Sequence, residues 1–367
     1  MEPKDINTEL INPFDEPDRV ASIWLNLQAR ANHSYFTSWA WLENWLHCLP
    51  HDLDVRLFVQ YQNDSPVCCF FISTRSGFEH RIFYKTRAYL NVTGDPEYDC
   101  LTIEYNGPMT VGTVGMRSAA FCDQKLQHIE EFRLPALGES VNFRELYDNS
   151  FRVRTRSEPS YFVDLSLLRH GSDDYFQSIS SSSRRLIRRS IKQYESHGPL
   201  ALTEATCTDD ALLMLQKLKF LHQKEWTKRG HPGVFESKFF RRFHERLIKK
   251  RFRFGEIQLI EITNASAPVG YLYNFLYDQR VLFYQSGFEY RSGNNYRPGV
   301  VSHFLAMSHN AGRNFAKYDF LGGESQYKRS LATGQETLTW AVVSRRTIKS
   351  YLESVALYLW DRIAAKK

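Results

Sequence analysis

Cysteine is scarce and unpatterned: Cys48, Cys68, Cys69, Cys100, Cys122 and Cys207 include no C-x-x-C pair, and five of the six fall in the first half of the chain. That excludes a disulfide framework and a cysteine-based zinc site. Cys68 and Cys69 sit in the apolar run PVCCFFI and read as small buried hydrophobes. No window reaches the roughly 18 apolar residues of a membrane span. The opening MEPKDINTELINPFDEPD is acidic and has no apolar signal core, so the reading is a cytoplasmic protein. Glycine never gathers into a dense loop. The pair Gly112 and Gly115 reads as a plain loop, with an imitation of a phosphate loop as the alternative. No cysteine or serine stands beside a plausible base, which argues against a covalent enzyme intermediate.

What is present is a soluble globular composition, 43% hydrophobic and 24% charged, over 367 residues, enough for two domains with cores of their own. The aromatic residues, 26 Phe, 20 Tyr and 7 Trp, are chiefly core material. The net charge of +6 hides an asymmetry. Residues 1–170 hold 16 Lys and Arg against 23 Asp and Glu, whereas residues 171–367 hold 31 against 18. A basic half points either to an anionic ligand, such as a phosphate or RNA, or to a solvated face.

Along the chain, a short helix is expected near Val20–Ala31. A stronger one follows in TSWAWLENWLHCL, where Trp39, Leu42, Trp45, Leu46 and Leu49 recur at helical spacing, Thr37 or Ser38 caps and Pro50 stops. Strands follow at Val55–Gln62 and Val67–Ser73, with further strand-like pieces to Tyr105. Residues 135–160 are polar and lead into YFVDLSL, read as the bridge between lobes. SSSRRLIRRSIKQYESHG then forms a helix capped by serine and stopped at Gly198. Its Arg184, Arg188 and Lys192, with Arg185 and Arg189, make a basic stripe that is either solvated or in contact with phosphate. Helices at Asp209–Lys228 and Ser237–Arg251 precede the strands EIQLIEI, PVGYLYNFLY and RVLFYQSGF.

Two hairpins align without a gap at a constant offset of 202: VRLFVQYQNDSPV (Val55–Val67) and IQLIEITNASAPV (Ile257–Val269). Leu57 falls on Leu259 and Pro66 on Pro268, which is economical if two lobes share one plan. The expected fold is α/β, of the α+β kind with mixed sheets, in two lobes, each a twisted mixed β-sheet covered by helices. The expected division is an N-terminal lobe at 1–170, a C-terminal lobe with the chemistry at 171–350 and a helical tail at 351–367.

The chemistry is concentrated between Tyr284 and Lys328, where strand, polar loop, helix, strand and helix succeed one another. The string Asp319-Phe320-Leu321-Gly322-Gly323-Glu324 followed by Tyr327-Lys328, the helix entry Tyr296-Arg297-Pro298-Gly299 and the strand PVGYLYNF resemble the GNAT acyltransferase fold. The closer resemblance is to a tandem-lobe, polysaccharide-associated (cellulose-biosynthesis-type) acetyltransferase-like branch related to the Fem peptidyltransferases. In the first lobe SYFTSWAWLENW is similar to the helix that opens such proteins.

The resemblance implies that a central strand, Leu282–Phe288, parts from its neighbour and receives the donor's pantetheine arm on the backbone of Tyr284, Gln285 and Ser286. The pyrophosphate would then rest on amides between Asn294 and Val301, near Tyr296, Arg297, Gly299 and Val300, where a helix N-terminus favours anions. The glycine-rich Q/R-x-x-G-x-G/A loop of the family is missing here, with only Gly293 and Gly299 in its place. Tyr327 occupies the position of a tyrosine that protonates the leaving thiolate, as a phenol with pKa near 10 can do. Lys328 would neutralise developing negative charge. Glu324 is the first choice of base, Asp319 either joins it or holds the loop by hydrogen bonds, and His303 is an outsider for the same work. Asn274 and Gln285 line an acceptor cleft or satisfy backbone; Arg184 and Arg188 would meet substrate phosphate.

The leading expectation is therefore an N-acyltransferase using acyl-CoA as cosubstrate, with no tightly bound cofactor and no metal. Its acceptor would be a primary amine, such as an amino sugar or sugar nucleotide. Two alternatives stay open: Fem-like aminoacyl transfer from tRNA, and a non-catalytic module binding a nucleotide sugar or RNA. The long helical arm of some Fem enzymes is not visible in the sequence.

Overall fold

The computed structural model describes residues 6–79, 83–111, 120–291 and 296–348. Gly112, Gly115, Gly293, Asn294 and the expected tail at 351–367 lie outside them. In chain order the elements are β1 (Ile6–Ile11), α1 (Pro17–Gln28), α2 (Trp39–Cys48), β2 (Val55–Gln62), β3 (Ser65–Glu79), β4 (Phe83–Leu90), β5 (Met109–Thr110), β6 (Glu131–Leu137) and β7 (Phe151–Asp164). Then come α3 (Asp173–Ser178), α4 (Ser181–Glu195), β8 (Leu200–Glu204), α5 (Thr208–Lys228), α6 (Lys238–Arg251), β9 (Ile257–Asn264) and β10 (Ala267–Tyr277). The chain continues through β11 (Arg280–Phe288), α7 (Pro298–Gly312), β12 (Lys317–Gly322), α8 (Gln326–Leu331) and β13 (Gly334–Arg345).

The residues sort into two compact units. One comprises the chain up to Ser157 together with the residues from Leu338 onward; the other is Glu158–Thr337. In the first unit β1, β2, β3, β4, β6 and β13 follow in spatial order, antiparallel except for the parallel β4–β6 pair. Its core stacks Phe58 on Phe70 and Phe121 on Phe132, with ring centroids 4.9 and 3.9 Å apart. Trp24 of α1 stacks on Phe71 of β3 at 5.1 Å and satisfies its indole N–H on the Thr37 carbonyl. All six cysteines are free, and burial pushes the Cys68 thiol up to about 12.

In the second unit the order is β7, β12, β11, β10, β9, β8, with β11–β12 the parallel pair. Helices cover both faces. On one, α4 and α7 pack Ile187, Tyr194, Val300, Val301 and Met307 against Ile260, Leu272, Val281 and Phe283. On the other, α5 lies close enough to β11 that a Cβ on Gly287 would fall 2.3 Å from the Leu218 carbonyl oxygen. Each unit is thus a mixed sheet covered by helices. Ser38, Ser180 and Ser237 cap α2, α4 and α6 through their hydroxyls, each satisfying an otherwise orphaned amide.

The repeated hairpin is realised residue for residue. Asn63 and Asp64 turn the first with φ of 49° and 61°; Ala265 and Ser266, at the same offset of 202, turn the second with 48° and 68°. Even the bulge recurs, at Val67 in the first hairpin and Val269 in the second.

Candidate active site

The parallel ladder between β11 and β12 is short. It joins Arg280 to Lys317, Val281 to Tyr318 and Leu282 to Asp319, and there it stops. β11 runs six residues further, to Phe288, and β12 three further, to Gly322, without pairing to one another. A bulge coincides with the parting. Opposite β10, Phe283 faces Asn274 and Gln285 faces Tyr273, leaving Tyr284 as the extra residue. A bulge re-aims side chains, and it does so here. Before it Phe283 packs on His303 of α7; after it Phe288 lies on that same side, against Gly299 and His303. The Tyr284 ring turns the other way, onto Phe240 and His244 of α6, so any part it has in donor binding is through backbone.

His303 underlies the gap. Its ring touches Phe283 of β11, Tyr318 and Phe320 of β12, and stacks on Tyr327 at 5.4 Å with 9° between planes. It is fully buried; Nδ1 lies 3.0 Å from the Tyr318 hydroxyl and Nε2 has no hydrogen-bond partner. Burial, aided by the Lys328 ammonium, lowers its pKa to about 3. A group so weakly basic and so far from solvent is a poor proton acceptor. The expectation of His303 as an outsider base therefore does not fit its surroundings: the ring is packed against Tyr327.

Tyr327 sits in the first turn of α8, stacked on His303 and edge-on to Phe320 at 6.0 Å. Its hydroxyl makes no hydrogen bond among the described residues. Burial first, and Tyr290 second, raise its pKa well above 10, so the phenol holds its proton throughout the neutral range. Lys328 folds back instead, donating to the Leu321 and Gly322 carbonyls at 3.1 and 2.6 Å and closing the unpaired end of β12.

Asp319 is fully buried and accepts from the Leu321 amide at 2.8 Å and the Ser160 hydroxyl at 3.1 Å. Leu321 takes a positive φ of 61° there, and β12 shifts register against β7 between Asp319 and Gly322. Of the two roles expected for Asp319, the geometry matches holding the loop. Glu324 is exposed and ion-paired with Arg329.

Ahead of α7, the Tyr296 hydroxyl accepts from Gln193 Nε2 at 3.3 Å, and its ring meets Tyr194 edge-on at 5.1 Å. Arg297 is exposed and Val300 buried in the core. No side chain caps this helix, and Pro298 brings no N–H, so the first free amides are those of Gly299 and Val300. Gln285 and Ser286 are half-buried in the part of β11 that pairs with β10 but not with β12. Asn274 is corrected from cleft to core: it is fully buried and donates to Gln258, which in turn bonds Asn310 and Glu204. Arg184 and Arg188 stand on α4, apart from the residues around Tyr327.

Residues 181–329 match the family model described as acetyltransferase (GNAT) domain. Within the second unit, these residues are thus similar to a GNAT acetyltransferase domain. No curated protein matches the sequence. Among solved structures the chain is similar to FemX, with 8% identity, a TM-score of 0.55, and 88% of this chain and 95% of that one covered. It is similar too to the C-terminal domain of a putative lysylphosphatidylglycerol synthetase from Agrobacterium fabrum, at 9% identity, TM-score 0.52 and coverage of 94% and 96%. A conserved protein of unknown function from Bacteroides thetaiotaomicron is matched at 10%, 0.51, 93% and 100%. At such identities the likeness is one of fold, and it extends over both units.

Among the described residues of both units, no group of three His, Cys, Asp or Glu side chains is placed to hold a metal, and no helix is long and apolar enough to cross a membrane. Sequence reasoning missed the aromatic cage of Phe283, Phe288, Tyr318 and Phe320 around His303. Its signal was the coincidence of aromatics on two strands with one histidine inside an apolar helix.

Proposed function

We propose that the GNAT domain moves an acyl group from acyl-CoA to a primary amine, with an amino sugar or sugar nucleotide of envelope or exopolysaccharide synthesis as the acceptor class. One observation carries this reading: the β11–β12 ladder stops at Leu282 and Asp319, with Tyr327 held beside the parted strands. The edge of Phe283–Phe288 that faces away from β10, left open by β12, supplies donors and acceptors for the amides of a pantetheine arm. The amides of Gly299 and Val300 and the dipole of α7 favour the phosphates behind it.

The amine nitrogen attacks the thioester carbonyl, the C–N bond forms and the C–S bond breaks. The departing sulfur takes the Tyr327 proton, and the ammonium proton lost by the nucleophile, through Glu324 or solvent, restores the phenol in the net balance. Tyr327 suits this because it remains protonated, and because the stack on His303 holds its ring. Lys328, bound to two carbonyls, ties down the end of β12 beside the gap.

The test is acyl transfer by the full chain from acetyl-CoA to a panel of primary amines, glucosamine and UDP-glucosamine included, read as free thiol released. Thiol release that requires an amine supports the proposal; none with any amine, at saturating donor, contradicts it. Aminoacyl transfer from tRNA is the second reading. The excess of 31 cationic over 18 anionic residues in 171–367 favours it, and a salt-sensitive gain in melting temperature with tRNA but none with acetyl-CoA would select it.

A further inference from the structure

Buried Ser183, Ile187, Ser190 and Tyr194 fix the rotation of α4 and turn the opposite face outward. On that face Arg184, Arg185, Arg188, Arg189, Lys192 and Gln193 line an open groove of ≈ 660 Å³. Like charges at i and i+4, as in Arg184, Arg188 and Lys192, repel one another on a helix surface. A merely solvated face relieves that with interspersed carboxylates, as several cations elsewhere in this unit show: Lys217 pairs with Glu261, Lys224 with Glu289, Arg251 with Glu256 and Lys317 with Glu336. Among the described residues no carboxylate pairs with Arg184, Arg185, Arg188 or Lys192.

Two contacts show that the groove is organised and where it leads. The Arg188 guanidinium lies over the Phe176 ring at 4.6 Å, which restrains it. Gln193 both lines the groove and donates to Tyr296, directly ahead of the uncapped first turn of α7. The cations and that helix end therefore adjoin. Arginine forks match phosphate oxygens in geometry as well as charge. From Arg184 to Lys192 the helix rises only ~12 Å, eight residues at about 1.5 Å each, the reach of one compact nucleotide and not of an extended polynucleotide backbone.

We propose that this groove is a binding site for a small nucleotide carrying several phosphates, so that arginine side chains of α4 do the work a glycine-rich loop would otherwise do. The proposal deepens the transferase reading, resting on it only for the choice between two sources of such a group: the phosphates of the coenzyme A donor or the diphosphate of a nucleotide-activated acceptor.

Calorimetric titration of the full chain with coenzyme A, 3′-dephospho-coenzyme A and UDP-glucosamine tests it. The double variant Arg184→Gln/Arg188→Gln is expected to weaken whichever nucleotide the native chain binds by tenfold or more. Lys228→Gln/Arg229→Gln, which removes the same charge from the end of α5, should change it less than twofold. Loss for coenzyme A, with the dephospho form already weaker on the native chain, assigns the groove to the donor; loss for UDP-glucosamine assigns it to the acceptor. Competition by inorganic pyrophosphate on the native chain is expected as well, and needs no variant. Unchanged affinity in the double variant, no binding of any nucleotide, or a loss seen only for a short single-stranded RNA with steep salt dependence would each overturn the proposal. Intact, variant-sensitive binding without acyl transfer would leave the groove standing and sink the transferase reading alone.

Discussion

Replacing Tyr327 by Phe removes one oxygen and leaves the rest of the ring. The stack on His303 and the edge contact with Phe320 survive, and the hydroxyl has no hydrogen-bond partner among the described residues to orphan. Folding stability should therefore move by no more than about 0.5 kcal/mol, as for a substitution that breaks no buried contact. Catalysis should not be spared. A positioned general acid contributes about 10²- to 10⁴-fold, equivalent to about 3 to 5 kcal/mol of barrier at 1.36 kcal/mol per decade. Because the lost proton is needed only as sulfur departs, kcat should fall while the donor's dissociation constant holds. The native phenol, its pKa raised by burial, should support a rate that does not decline up to pH 10. Steady-state thiol release, donor titration and a denaturant melt on the two proteins measure all three. A variant that turns over within twofold of the native rate would refute the acid role; one that loses stability in step with activity would refute the structural reasoning behind it.

Three further outcomes follow from the same geometry. Asp319→Ala strips an acceptor from the Leu321 amide and the Ser160 hydroxyl in a fully buried place, so unfolding should cost about 2 to 4 kcal/mol less in a denaturant melt. Gly287→Ala drives a methyl to 2.3 Å from the Leu218 carbonyl oxygen, which is backbone and cannot swing aside; a loss of about 1 to 3 kcal/mol or more is expected. His244 and His303 are both fully buried, with pKa values lowered by burial from 6.5 to about 3. They stay neutral in the fold, so between those limits the unfolded chain binds the extra protons. Stability is complete above pH 6.5 and falls as the pH drops toward 3, by up to about 1.4 kcal/mol per pH unit for each ring. Urea midpoints across pH 4–7 should show that slope, to which His222, its pKa also lowered by burial, adds, and His303→Phe should make it shallower.

Much of this was legible in the residues because it rests on local periodicity. The serine caps of α2 and α4, the basic row of α4 and both hairpins with their shared turn positions follow from side-chain type and spacing. What escaped was set by long-range pairing. The first half of β7 was hidden because Arg152, Arg154, Arg156 and Glu158 alternate with only two apolar residues, Phe151 and Val153. The bulge at Tyr284 depends on β10, and it brings Phe283 and Phe288, five residues apart and so on opposite faces by simple alternation, to the same side against His303. Asn274 looked like a polar visitor in an apolar strand; only the arrival of Gln258 and Asn310 beside it makes a buried network of it. Lys328 was read for its charge, and its place is decided by two carbonyls left without a strand.

The account turns on the parted strands β11 and β12 receiving the acyl donor, and hydrogen exchange with and without saturating acetyl-CoA reads that backbone directly. Those amides of Phe283–Phe288 that face the β12 side and not β10, together with those of Gly299 and Val300, are predicted to gain protection on binding, while the Arg280–Leu282 stretch, paired on both edges, changes little. Bound donor with those amides unprotected, and protection appearing elsewhere, would contradict it.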